Sequence, residues 1–174
     1  SVREPLEVHF RREWAQELKA IRQDDDRSYK HADQSRLNNA LLATLDEFEQ
    51  TDVMENTARL SEKFFAGLEK LKETGIIARV RGEGMVFGIE CAGVGSLSPQ
   101  EVATEVVRAC YLGEEGGDGI HLLGALAGKV LRVSPPMTMT AEEADASLEL
   151  LYRLLSDLAG KLQSAETAGA GAAG

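Results

Sequence analysis

Apolar residues recur at helical spacing over residues 5–23, where Leu6, Phe10, Trp14, Leu18 and Ile21 are separated by arginines and glutamates. Pro5 suits the first turn of this predicted amphipathic arm. Its stripe would be buried against its own domain or a partner subunit. The acidic run Asp24–Asp26 breaks the pattern, and the polar segment to Ser35 reads as a linker. A second helix is predicted over 36–49, with Leu37, Leu41, Leu45 and Phe48 on one face. Thr51 or Asp52 opens a third, with Glu55 at the capping-box distance from Asp52. Its stripe of Val53, Leu60, Phe64, Leu68 and Leu71 stops at Gly75, a residue suited to the left-handed conformation that ends helices.

The period then changes from helical to alternating. Ile76–Arg81 and Met85–Glu90 read as two strands joined at Gly82-Glu83-Gly84, which predicts an antiparallel hairpin. Ser98-Pro99-Gln100-Glu101 combines a capping box with a first-turn proline and opens a helix to about Tyr111, burying Val102, Val106 and Cys110. After the acidic, glycine-rich loop Gly113–Gly119, two further short strands are expected near 120–134, around Ile120–Leu123 and Val130–Val133. Thr140 to Glu143 forms another capping box, and Leu148, Leu151, Leu155 and Leu158 line a final helix. From Ser164 the composition falls to alanine, glycine and a few polar residues, which predicts a disordered tail over 164–174. The expected fold is α+β. It has a small, mostly antiparallel sheet, the hairpin 76–90 plus strands near 120–134, covered on one side by helices. The helical arm and linker span 1–35, and the domain proper spans 36–163.

Composition narrows the function. The 174 residues carry 19 basic and 29 acidic side chains, a net charge of −10. That balance argues against nucleic acid or an anionic membrane as partner. No apolar run is long enough to span a bilayer, and no secretory pattern opens the chain. Cys91 and Cys110 have neither CxxC spacing nor a histidine at ligand spacing, so no metal site is expected. Two sparse thiols suit the cytoplasm. Gly82-Glu83-Gly84 with Gly88 is no dinucleotide loop, because a strand follows it rather than a helix. His121, beside apolar residues, reads as a core-edge histidine. His9 falls in the arm and His31 in the linker. No residue is assigned a catalytic role.

Arg132 stands apart. It interrupts the apolar run Val130, Leu131, Val133, and Pro135-Pro136 then end the strand because neither can donate a hydrogen bond. A guanidinium there either meets a carboxylate or phosphate, or sits on an edge strand pointing to solvent.

Four motifs, in order, give the chain a resemblance. They are Ala43-Thr44-Leu45-Asp46 with Phe48-Glu49; Glu55-Asn56-Thr57-Ala58 with Leu68 and Leu71; Val80-Arg81-Gly82-Glu83-Gly84-Met85-Val86-Phe87-Gly88-Ile89-Glu90; and Val130-Leu131-Arg132-Val133-Ser134-Pro135-Pro136-Met137-Thr138. From Leu37 to Leu158 their succession resembles the C-terminal small domain of class III, fold-type I pyridoxal-phosphate (PLP) aminotransferases. The resemblance implies amino-group transfer between an amino donor and a 2-oxo acid or aldehyde. It gives Arg132 the role of holding a substrate carboxylate. The family's large domain, with its Schiff-base lysine, has no counterpart in this sequence, so the chain alone is expected to be inactive and to bind no PLP by itself. The implied partner is a lysine-bearing large domain or subunit, or a second copy through the N-terminal helix. A non-catalytic interaction module is the alternative, as is part of a same-fold PLP decarboxylase, lyase or racemase.

Overall fold

The computed structural model describes residues 32–124 and 128–171. The amphipathic arm over 5–23, most of the linker that follows it, Lys19, Lys30, His9 and His31 lie outside the described residues. The chain divides between Thr51 and Asp52.

Before that division, helix α1 spans Ala32–Gln50 and so begins inside the segment read as linker. Thr44 and Thr51 donate to the carbonyls of Ala40 and Glu47, four residues back. The predicted stripe is not a buried one: Leu41 is 50% exposed, and Leu45 and Phe48 are half-buried.

From Asp52 on, helices and a sheet enclose one core. Helix α2 spans Val53–Lys70 and buries its whole predicted stripe, Val53, Leu60, Phe64, Leu68 and, in the following 3-10 turn, Leu71. The turn ends at Gly75, whose φ of 79° needs a residue without a side chain. Asp52 occupies the N-cap without a side-chain hydrogen bond, so the expected capping box does not form. Its carboxylate lies 3.6 Å from Arg59 instead. Strands β1 (Ile77–Glu83) and β2 (Val86–Cys91) make the predicted antiparallel hairpin, but the turn falls at Gly84-Met85. A two-residue connection with glycine first matches the right-handed strand twist, and it leaves Gly82 and Glu83 in the ladder.

Helix α3 (Pro99–Leu112) starts on the complete Ser98–Glu101 capping box and buries Val102, Val106 and Cys110 as expected. Strand β3 (Val130–Val133) pairs antiparallel with β2, giving the order β1-β2-β3. The strand expected at Ile120–Leu123 is absent from this sheet. There the chain is irregular, with Leu122 buried and the Ile120 N–H bonded to the Cys110 carbonyl. Helix α4 (Ala141–Gly171) begins at the second capping box, where the Glu143 N–H donates to Thr140 Oγ1 and the Thr140 N–H to the Glu143 carboxylate. It continues past Ser164 to Gly171, through alanines that are the best helix formers available.

The helices cover one face of the sheet. Ile77, Val80, Phe87, Ile89, Cys91, Leu131 and Val133 point inward, and the Phe64 and Phe87 rings stack at 6.1 Å. The approach of α2 to α4 is close enough that a Cβ on Gly67 would lie 2.6 Å from the Leu148 side chain. The architecture is therefore α+β, with a three-stranded antiparallel sheet.

Candidate functional site: the open face of the sheet

Alternation along the strands decides which side chains reach the uncovered face. In β2 and β3 it is strict: Phe87, Ile89, Cys91, Leu131 and Val133 go in, while Val86, Gly88, Glu90, Val130 and Arg132 go out. In β1 the spacing from Ile77 to Val80 would break it. A bulge at Ala78, between the pairs Ile77–Cys91 and Arg79–Glu90, absorbs the extra residue and lets both apolar side chains face the core. Arg79, Arg81 and Glu83 are thereby turned outward.

Register then assembles rows across the strands. Arg81 pairs with Gly88, and Gly88 with Arg132; Arg79 pairs with Glu90, and Glu90 with Val130. The face concentrates Arg79, Arg81, Lys129 and Arg132 around Glu83 and Glu90, a local sign reversal on an acidic chain. Glu90 is the hub. Its Oε1 lies 2.7 Å from Lys129 Nζ and its Oε2 lies 3.4 Å from Arg81 Nη2. The hydrogen bond from Lys129, with the charges of Lys129, Arg79 and Arg81, holds its carboxyl below the usual range against an opposing loss of solvation.

Arg132 is exposed, and among the described residues its guanidinium has no ion pair or side-chain hydrogen bond. The structure thus separates the two readings of this residue from a third, burial against an internal acid, which it rules out. Asn56 fixes the chain just beyond. Its amide donates at 2.9 Å to the carbonyls of both Met137 and Met139, tying the start of α2 to the loop after the double proline. The pattern of the sequence carried no sign of this anchor. Nor did it single out Arg81, although the alternation of Arg79 and Arg81 across from Glu90 was there to be read.

The remaining candidates are structural. His121 is exposed rather than at the core edge, its ring in edge contact with Tyr111. Cys91 and Cys110 are buried free thiols, pushed up to about 11 and about 12 by burial. No group of side chains among the described residues is arranged to hold a metal ion. No described helix is long and apolar enough to cross a membrane. Two open grooves flank α4, one against α3 and one against α2, and Arg132 lines neither. The site is a surface rather than a cleft.

Comparison with known proteins gives this surface a context. The family profile "Aminotransferase class-III" matches residues 35–155. An alanine/serine racemase of Pyrococcus horikoshii is 30% identical over 126 residues, 71% of this chain and 26% of that protein. An acetylornithine aminotransferase of Thermosynechococcus vestitus is 30% identical over 149 residues, 83% of this chain and 33% of that protein. Among solved structures, acetylornithine aminotransferase from Elizabethkingia anophelis superposes with a TM-score of 0.57 at 21% identity, covering 67% of this chain and 27% of the other. At that identity the likeness speaks for the fold. The chain spans a quarter to a third of the length of these relatives.

Proposed function

Because the chain belongs to the class III aminotransferase family, we propose that it is the small domain of a PLP-dependent transaminase, in which Arg132 holds the substrate carboxylate. The observation that carries this reading is a guanidinium left unpaired on the open face of the sheet, anchored by a strand and a proline-stiffened loop. A planar fork of donors matches a carboxylate in two parallel hydrogen bonds and so fixes the substrate's orientation as well as its position. Holding the reactant in one pose removes part of the entropic barrier to reaction.

The described residues do not fit a cofactor site. A lysine that carries PLP needs a buried, charge-depleted setting. Here Lys63, Lys72 and Lys129 each hold a carboxylate, and Lys70 and Lys161 are exposed. The amino-transfer chemistry that PLP supplies when bound therefore depends on a lysine outside the described residues, on a large domain or a partner subunit. A reducing cytoplasm agrees with two buried, unpaired thiols, and a dimer would bring two such faces to two cofactors.

The likeness to an alanine/serine racemase favours a second reading. An arginine that orients a carboxylate serves racemisation as well as transfer, and only the products distinguish them.

The test is reconstitution. The chain with PLP alone should show no turnover, and a steady transaminase rate from it would overturn the proposal. Adding a lysine-bearing polypeptide should raise the visible band of lysine-bound cofactor and release a 2-oxo acid from an amino acid. In that assembly Arg132→Gln should raise KM for the carboxylate substrate about tenfold or more. An unchanged KM would remove Arg132 from the site.

A further inference from the structure

The row that contains Arg132 contains a second guanidinium. Arg81 and Arg132 sit on the outer strands at positions paired to the same residue of the central strand, Gly88. They are two strand spacings apart, roughly 10 Å between backbones, and they project to the same side. Gly88 leaves the lane between them clear, since even a Cβ there would approach only Val130 Cγ1, at 3.3 Å. Any longer side chain at 88 would stand between the two forks.

We propose that Arg81 is a second anion-holding residue of this face, so that the site takes a ligand with two anionic groups, one on Arg132 and one on Arg81, across Gly88. This inference rests on the carboxylate role of Arg132 and adds to it the class of ligand and the residue that selects it.

Arg81's present partner does not stand in the way. Its contact with Glu90 is 3.4 Å long, and its side chain is 63% exposed. An exposed ion pair of that length contributes little and is readily exchanged. Glu90 does not lose its compensation when Arg81 leaves, because Lys129 sits on its other oxygen at 2.7 Å. Arg79 is differently placed. It lies directly across from Glu90 in the neighbouring row, with no open lane to Arg132. The excess of basic groups on the face draws a dianion more strongly than a monoanion, but the row geometry makes the preference specific to Arg81.

The experiment uses the whole chain, labelled with nitrogen-15, and follows the Nε–Hε resonances of Arg81 and Arg132 during titration at constant ionic strength. Butyrate and glutarate are the probes. Glutarate should bind about tenfold more tightly than butyrate and shift both resonances with one dissociation constant. Arg81→Gln should collapse that ratio to within about twofold, while Arg79→Gln should preserve it. Backbone spectra of the variants report that each is folded. A ratio near one in the unaltered chain overturns the proposal. So does a ratio that survives Arg81→Gln, or one that Arg79→Gln abolishes equally, which would signal diffuse charge. If butyrate shifts Arg132 but glutarate binds no better, the proposal falls and the carboxylate role of Arg132 stands. If neither acid moves Arg132, both fall together.

Discussion

Replacing Gly82 by alanine inserts a methyl group where the hairpin has no room for one. A Cβ at that position would lie 2.5 Å from the Val86 carbonyl oxygen, 2.6 Å from Phe87 Cδ1 and 2.7 Å from Phe87 Cα. Two of those three atoms are backbone of the facing strand, so a side-chain rotation cannot relieve the clash. Gly82 pairs with Phe87, whose ring stacks on Phe64, so the strain passes directly to the contact between α2 and the sheet. Overfilling a site of this kind costs about 1–3 kcal/mol. The stiffer unfolded chain of alanine returns about 0.4–1 kcal/mol. The net loss is about 1–2 kcal/mol, or roughly 3–10 °C in Tm for a unit of this size. Gly160→Ala is the matched control, because its new methyl would meet nothing within 4 Å on helix α4. It should stabilise by about 0.5–1 kcal/mol through helix propensity. Thermal unfolding followed by circular dichroism reads both. Equal Tm changes for the two variants, or a Gly82→Ala protein as stable as its parent, would refute the steric reasoning.

Asn56→Ala removes two hydrogen bonds and strands two carbonyls, and should cost about 1–3 kcal/mol in urea unfolding; backbone shifts should centre on Met137–Met139. Glu90 titrates with a lowered folded value against a usual 4.5, so its contribution is complete above the unfolded pKa and lost as pH falls through the folded one. Tm measured from pH 6 down to about pH 2 should therefore fall less steeply in Glu90→Gln than in the parent. Cys91 and Cys110, buried and raised to about 11 and about 12, should resist a thiol reagent at neutral pH until denaturant is added. Rapid labelling of the native protein would contradict their burial.

Much of the core could be read from spacing alone. The α2 stripe and the α3 face are buried residue for residue, because an amphipathic helix has one way to hide its apolar side. The outward direction of Arg132 followed from its place between Leu131 and Val133. What local pattern missed depended on partners distant in sequence. The hairpin turn moved to Gly84-Met85 because the pairing of Val80 with Ile89 sets the register, and glycine spacing alone does not. Ile120–Leu123 has strand composition but no free edge to join, since β3 already occupies the outer side of β2. Asp52 found Arg59 in place of a backbone donor. The Arg81–Gly88–Arg132 row exists only once three strands are aligned, so no single motif announces it.

The extra residue at Ala78 gives β1 one unit of slack. Shortening the chain there would restore plain two-residue alternation and leave Arg79, Arg81 and Val80 facing as they do now. Losing Arg81 itself would draw the bulge taut and roll Val80 into water and Arg79 into the core. Length variation among descendants of this hairpin should thus be tolerated on the Ile77 side and purged on the Gly82 side.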